Sequence, residues 1–212
     1  MKLSLIIVSF LLGAAVKAQT AYDVIPGTKG NRIVLSVANI SQIKNAENVS
    51  IKVSRPSLNI NFNKNEVIIK RIETGGETEA AFLFDIKREA PVNKADTLEF
   101  IITDNKGIFV KKEFVLSFTP PKVYRLEQNY PNPFNPVTTI LYQLPLESRV
   151  TLKVYDILGS EVETLVNEIQ SSGYKEARFG GEKYSSGVYI YRLDAESTNG
   201  NYAAIKKMVM IK

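Results

Sequence analysis

The sequence contains no cysteine, no histidine and no tryptophan. Without cysteine there are no disulfides, no thiolate nucleophiles and no cysteine-based zinc sites. Without histidine there is no Ser-His-Asp triad, and the commonest metal ligand and general base is missing. A carboxylate pair or a Ser-Lys pair remains formally available, but no spacing in the sequence points to one. We therefore expect a protein that is not an enzyme and that carries no cofactor and no metal.

The sequence also has no cluster of positively charged residues. The formal net charge is +5 at pH 7, and the lysines and arginines occur as scattered pairs rather than in a basic cluster. Nucleic acid is therefore not an expected partner.

The first residues have the composition of a secretory signal peptide. Lys2 provides the positive charge, residues 3–16 form a mostly apolar run, and Val16 and Ala18 are suited to the −3 and −1 positions of a cleavage site. The alternative, a membrane anchor, needs roughly 20 apolar residues, which is more than this run provides. We expect residues 1–18 to be removed, with cleavage between Ala18 and Gln19.

The next part of the chain, residues 19–118, alternates apolar and polar residues over short runs, as strands with one buried face do. Turn residues separate the runs at Pro26-Gly27, at Gly75-Gly76 and at residues 104–107. About seven strands in this length predict an immunoglobulin-like antiparallel β-sandwich. The predicted apolar positions are Ile33, Leu35 and Val37, then Val49, Ile51 and Val53, then Leu58, Ile60 and Phe62, with later runs at 67–69, 80–86, 98–103 and 108–118.

A boundary is predicted at Thr119-Pro120-Pro121-Lys122, because adjacent prolines cannot continue a β-ladder and favour an extended connection. Residues 119–124 are therefore assigned to a linker, and residues 125–212 to a second module. Its predicted strands are at 138–144, 149–156, 161–166, 187–195 and 202–212, with turns at 156–159 and at Asn199-Gly200. The fold class is thus all-β, with two small β-sandwiches in tandem after the signal peptide.

The second module opens with NYPNPFNP, residues 129–136, which we name the proline segment. Its prolines lack N–H groups and push their neighbours toward extended geometry, whereas its asparagines favour local turns. We expect this segment to lie along a sheet edge, with Tyr130 and Phe134 available to pack on the core.

The order of the following segments is distinctive. The proline segment is followed by VYDILG at 154–159, by SSGVYIYRL at 185–193 and by a last strand that contains Lys206-Lys207-Met208. In this order the segments closely resemble the type A carboxy-terminal sorting domain of the type IX secretion system of Bacteroidetes. The first module resembles more loosely the immunoglobulin-like accessory domains of the CARDB or NPCBM-associated kind, through IVLSVANI, NVSIKV and DTLEFIITDNKG.

The resemblance to the sorting domain implies a route and a set of partners. The chain would cross the periplasm, dock on an outer-membrane translocon and reach the cell surface or the medium. A sortase-like peptidase would remove the module, and the rest would be released or joined to a surface glycolipid. The residues carried over by the motifs as translocon contacts are Asn132, Pro133, Asn135, Pro136, Gly159, Gly187, Lys206 and Lys207.

Simpler interpretations of some of these residues stay open. Gly159 and Gly187 are also suited to turn or bulge geometry, and Lys206 and Lys207 could protect an edge strand from aggregation. Tyrosines 142, 155, 189 and 191 could form a sugar-binding platform, but at strand spacing they are more typical of packed side chains.

For the whole protein we expect an exported, non-enzymatic chain whose first module binds an unknown protein or polysaccharide. The alternative is a secreted carbohydrate-binding accessory module, for which Tyr22 and Tyr124 are the available aromatics. A hydrolase would need two acids in one cleft, for which a sandwich of this size without histidine has little room.

Overall fold

The structure is a computed structural model that describes residues 21–105 and 109–212. The predicted signal peptide, its cleavage site at Ala18 and Gln19, and Lys106 and Gly107 of one predicted turn lie outside these residues. The described part of the chain contains no helix that is long and apolar enough to cross a membrane. The chain divides between Thr119 and Pro120 into two compact units, an amino-terminal and a carboxy-terminal one.

The amino-terminal unit is built from eight strands in two sheets. One sheet has the strand order β1-β8-β7-β3-β5, and the other has the order β2-β6-β4. All pairs are antiparallel except β1 with β8, which run parallel. The strands are β1 (Ala21–Val24), β2 (Asn31–Ala38), β3 (Ala46–Arg55), β4 (Ile60–Phe62), β5 (Glu66–Ile72), β6 (Glu77–Ile86), β7 (Ala95–Thr103) and β8 (Phe109–Phe118).

The core of this unit follows from the alternation in the sequence. Alternate side chains of both sheets point inward and are buried together, as expected for a sandwich. Phe82 and Phe100 come from opposite sheets, and their rings meet edge to face with centroids 5.0 Å apart. The predicted immunoglobulin-like sandwich is therefore confirmed at the level of fold class.

One predicted strand of this unit is shorter than expected. Leu58 was predicted to share a face with Ile60 and Phe62, but Leu58 is exposed and precedes the strand. The Ser57 hydroxyl accepts a hydrogen bond from Asn59 N at 2.9 Å, which holds residues 57–59 in a turn. Such local side-chain bonding competes with strand pairing.

The carboxy-terminal unit has seven strands, again in two sheets. The strand order is β13-β10-β9 in the smaller sheet and β12-β11-β14-β15 in the larger one. The strands are β9 (Arg125–Leu126), β10 (Val137–Leu144), β11 (Ser148–Tyr155), β12 (Glu161–Gln170), β13 (Gly173–Gly180), β14 (Gly187–Ser197) and β15 (Gly200–Met210). Fifteen inward side chains between Leu126 and Met210 form its buried core.

Two strands of this unit, the two-residue β9 and the longer β13, were not predicted from the sequence. β12 continues to Gln170, beyond its predicted end at Val166, and β13 follows it after a short turn. β13 pairs with β10 along its whole length, from Gly173 with Leu144 to Gly180 with Val137. In β13 only Gly173 and Phe179 are buried. Its sequence therefore lacks the regular alternation of apolar and polar residues by which a strand is recognised.

Contacts reach into both ends of the predicted linker. The Thr119 N–H donates to the carbonyl of Val24 at 2.9 Å, which ties Thr119 to the amino-terminal unit. Tyr124 stacks on Tyr202 with ring centroids 5.3 Å apart, within the carboxy-terminal unit.

Candidate recognition surface of the carboxy-terminal unit

The proline segment begins at a buried asparagine. Asn129 is 2% exposed, and its N–H donates to the hydroxyl of Tyr191 at 2.9 Å. Its side-chain Nδ2 donates to Thr138 Oγ1 at 2.9 Å and to the Pro131 carbonyl at 3.0 Å. The buried polar groups of Asn129 are thus satisfied by partners from three parts of the chain, which anchors the segment.

The hydroxyl of Tyr191 forms hydrogen bonds with the backbone on both sides of Gln128. Besides accepting from Asn129, it donates to the carbonyl of Glu127 at 2.8 Å. Burial raises the pKa of Tyr191 to about 12. The hydroxyl therefore stays protonated, and able to donate, well above neutral pH.

The segment then crosses to the last strand and covers its edge. Asn132 Oδ1 accepts from Val209 N at 2.9 Å, and Phe134 N donates to the Val209 carbonyl at 2.9 Å. Ile211 N in turn donates to the Phe134 carbonyl at 3.0 Å. The predicted position of the segment along a sheet edge is confirmed, and the edge is that of β15.

The two aromatic residues of the segment behave differently. Phe134 is 2% exposed and packs edge to face on Phe179, with centroids 5.8 Å apart. Tyr130 is 80% exposed, so the expectation that it packs on the core is wrong. Its N–H and carbonyl pair with Thr139 of β10, and this pairing turns the ring toward solvent.

The remaining predicted residues of the segment differ in exposure. Asn132, Pro133 and Asn135 are exposed, and Pro136 is half-buried. The Pro136 carbonyl accepts from Gly181 N at 2.7 Å. Within the part of the chain that the structure describes, the Asn135 side chain forms no hydrogen bond, so it is available to a partner.

The two predicted glycines lie in different surroundings. Gly159 has a φ of +85°, in a turn where Asp156 Oδ1 accepts from Leu158 N and Ser160 N, each at 2.9 Å. This left-handed backbone favours glycine, which supports the turn interpretation of Gly159. The same turn exposes the side chains of Ile157 and Leu158. Gly187 is exposed at the start of β14, and a Cβ there would meet nothing within 4 Å.

The two predicted lysines lie on opposite faces of β15. Lys206 is half-buried on the side that faces the core, and Lys207 is exposed on the outer side. Neither ammonium forms an ion pair with any carboxylate among residues 21–105 and 109–212. Both charges are therefore open to an acidic partner.

The strand register brings most of the motif residues to one end of the larger sheet. Tyr155 at the end of β11 pairs with Ile190, and Ile190 pairs with Lys207. Gly187 pairs with Met210, next to the backbone that Asn132 holds. We call this end of the sheet the motif end. It unites the ends of β11 and β15 with the start of β14, which are distant in sequence.

Sequence reasoning missed the residues that support the motif end. Gln128 Nε2 donates to the Lys207 carbonyl at 2.8 Å, and Asn129 and Gly181 have the contacts given above. A side chain added at Gly181 would overlap Sδ of Met210 and lie 3.1 Å from the Pro136 carbonyl. No local pattern reveals these roles, because most of the partners are far away in sequence. Only the position of Gln128-Asn129 directly before the prolines could have drawn attention to them.

The tyrosines do not form an exposed platform. Tyr142 and Tyr191 are fully buried and Tyr189 nearly so, as expected for packed side chains, and Tyr155 is half-buried. In the amino-terminal unit, Tyr22 packs on Phe114 with centroids 6.3 Å apart. The described residues contain no cluster of acidic side chains suited to a metal ion.

The carboxy-terminal unit is thus a β-sandwich domain with most of its motif residues at one end of its larger sheet. Residues 128–211 match the family model of the secretion system C-terminal sorting domain. Over these residues the carboxy-terminal unit matches the sorting-domain family, which confirms the family resemblance found in the motifs. The family match does not extend to the amino-terminal unit.

A search among curated proteins found no relative of the chain. Among solved structures, the chain is similar to the CupB2 chaperone of Pseudomonas aeruginosa, with 11% identity, a TM-score of 0.31, and coverage of 92% of this chain and 99% of that one. It is similar to dimeric latent PorU of Porphyromonas gingivalis, with 14% identity and a TM-score of 0.35. This match covers 95% of this chain and 20% of that one. The chain is also similar to the periplasmic chaperone SfaE, with 12% identity and a TM-score of 0.32. The match covers 92% of this chain and 97% of that one. At such identities and TM-scores these similarities say nothing about function.

Proposed function

We propose that this protein is a non-enzymatic cargo of the type IX secretion system, in which the motif end is the surface that the outer-membrane translocon binds. The sorting domain itself implies export toward the outer membrane or cell surface. The observation that carries the finer proposal is the strand register, which brings Asn132, Gly187 and Lys207 together.

In this function the carboxy-terminal unit serves as an address and the amino-terminal unit as the cargo. The cargo unit binds a protein or polysaccharide at the surface, without catalysis. A sortase-like peptidase cuts the chain near the junction of the units, and the cargo is released or joined to a surface glycolipid. The two separate hydrophobic cores support this division, because removal of one unit leaves the core of the other complete.

The test is export from a bacterium that has a type IX system. Three chains are compared: the full protein, a chain that stops after Thr119, and residues 120–212 fused behind an unrelated periplasmic protein. We expect the first and third outside the cell and the second in the periplasm. Intact mass of the external form is expected to show an end near residues 120–125. Export of the chain that stops after Thr119 would contradict the proposal.

A further inference from the structure

The backbone of β15 presents alternate residues to β14 and to the open edge. The hairpin closes with Ser197 opposite Gly200 across a two-residue turn, so every second residue from Gly200 bonds to β14. The N–H and carbonyl groups of Asn201, Ala203, Ile205, Lys207 and Val209 therefore point away from β14. The bonds of Val209 N to Asn132 and of the Lys207 carbonyl to Gln128 agree with this assignment.

Only one half of this edge is hydrogen-bonded to the described part of the chain, although Arg125–Leu126 (β9) also lies near β15. From the Lys207 carbonyl to Ile211, the edge groups bond to Gln128, Asn132 and Phe134. Across the described residues, no hydrogen bond joins the edge-facing backbone of Ala203 or Ile205 to another part of the chain. The side chains of Asn201 and Ala203 are exposed, and that of Ile205 is 62% exposed. An open edge of this kind is a template for another strand.

The side chains along the open half indicate what kind of strand fits. Ile205 offers an apolar contact on the outer face, and Lys207 offers a cation next to it on the same face. Lys206 offers a second cation on the other face. A strand laid against this edge would gain from an apolar residue near Ile205 and acidic residues near the lysines.

We propose that the export machinery adds an extended strand, apolar and acidic in its side chains, to the β15 edge between Asn201 and Lys207. This inference rests on the proposed function and extends the binding surface from the motif end along the β15 edge, with Lys207 common to both. Charge complementarity argues against pairing of this edge with the β15 edge of a second copy, because Gly200–Met210 contains no aspartate or glutamate to pair with the lysines. Main-chain bonds supply the affinity of such strand addition, and side chains at alternate positions supply the specificity.

The test removes one edge N–H without changing the bonds to β14. Ile205→Pro deletes the N–H that points to the open edge, and an edge position with this orientation tolerates proline. Ile205→Val is the matched control, since it keeps the N–H and a branched apolar side chain. In the host with the type IX system, we expect the external fraction of Ile205→Pro to fall about tenfold, from the loss of one or two bonds to the added strand, and that of Ile205→Val to stay near the unchanged protein.

Thermal unfolding of the purified full-length variants checks that the module is folded. If Ile205→Pro unfolds, Ala203→Pro replaces it, because the Ala203 N–H also points to the edge, with Ala203→Ser as its control. The double variant Lys206→Glu/Lys207→Glu is expected to lower export as well, since it repels an acidic strand. Normal export of a folded proline variant overturns the inference.

The outcomes separate the inference from the proposed function. If the unchanged protein needs residues 120–212 for export but Ile205→Pro is exported normally, only the strand addition fails. If the chain that stops after Thr119 is exported, the proposed function fails. Sedimentation of the purified protein is expected to show a monomer; a dimer that Ile205→Pro dissociates would assign the edge to a second copy and overturn the proposal.

Discussion

Gly181 and Gly187 lie near each other in sequence, but only Gly181 lacks room for a side chain. Gly181→Ala is expected to destabilise the carboxy-terminal unit by roughly 1–3 kcal/mol, because the buried Met210 side chain and the Pro136 carbonyl must both give way. Urea unfolding of the full chain measures the change. Gly187→Ala is the matched control and is expected to leave stability nearly unchanged, because nothing lies within 4 Å of its added Cβ.

The hydroxyl of Tyr191 makes stability depend on pH. In the unfolded chain a tyrosine ionises near pH 10, whereas burial raises the pKa of Tyr191 in the folded state to about 12. Between these values the unfolded state binds fewer protons, so the free energy of unfolding falls as pH rises from about 10 to about 12. Below pH 10 this contribution is fully present. Tyr191→Phe is expected to make the alkaline decline shallower, as measured by urea unfolding at several pH values.

At pH 8 the same variant is expected to lose about 1–3 kcal/mol, because the buried N–H of Asn129 loses its acceptor. Tyr142→Phe serves as the comparison. Burial also raises the pKa of Tyr142 to about 12, but its hydroxyl donates to the side chain of Gln170, which water can reach. Tyr142→Phe should therefore flatten the alkaline decline with a smaller loss at pH 8. Equal losses for the two variants at pH 8 would contradict the anchoring role of Tyr191.

At the scale of elements, the proline segment acts as a cap on β15, and Phe134 is its buried aromatic side chain. Phe134→Ala is expected to cost about 3–5 kcal/mol, because it empties a buried site against Phe179. Amide exchange at Val209 and Ile211 should accelerate, since their partners in the cap are released. Tyr130→Ala removes an exposed ring from the same segment and is expected to change stability by less than about 0.5 kcal/mol.

Elements formed by residues close together in sequence could be predicted, whereas those that depend on residues far apart in sequence could not. The spacing of Pro131, Pro133 and Pro136 excludes a helix or central strand, so the edge position of the segment was predictable. The sequence did not predict that Phe134 turns inward and Tyr130 outward, because this depends on the pairing of Tyr130 with Thr139. β13 was missed because its partner β10 supplies the pairing while β13 itself buries few apolar side chains.

At the scale of the whole molecule, the two tandem sandwiches were predictable from period-two runs and the prolines at the boundary. The arrangement of strands in the sheets was not predictable, since it requires pairings such as β10 with β13 and β11 with β14 that no local pattern encodes. The roles of the motif residues in translocon binding stay predictions. The structure adds that most of them lie at one end of one sheet.

Because each unit has its own core, residues 120–212 expressed alone are expected to fold. The fragment should show the far-ultraviolet spectrum of a β-protein and one cooperative thermal transition. A fragment that ends at Asn199 lacks β15 and, with it, Met208 and Met210 of the core, so it should not fold. Failure of the longer fragment to unfold cooperatively would show that the carboxy-terminal unit depends on the amino-terminal one.

The bonds between the proline segment and β15 join the first and last parts of the sorting domain. A ribosome adds Val209 and Ile211 after all the strands β9 to β14 of this domain, and until then Asn132 Oδ1 and the backbone groups of Phe134 lack these bonds. A polypeptide broken off before residue 208 therefore cannot assemble the motif end. The export address thus also reports that its own domain has been fully synthesised, and chains that stop within the domain would be retained without a separate inspection step.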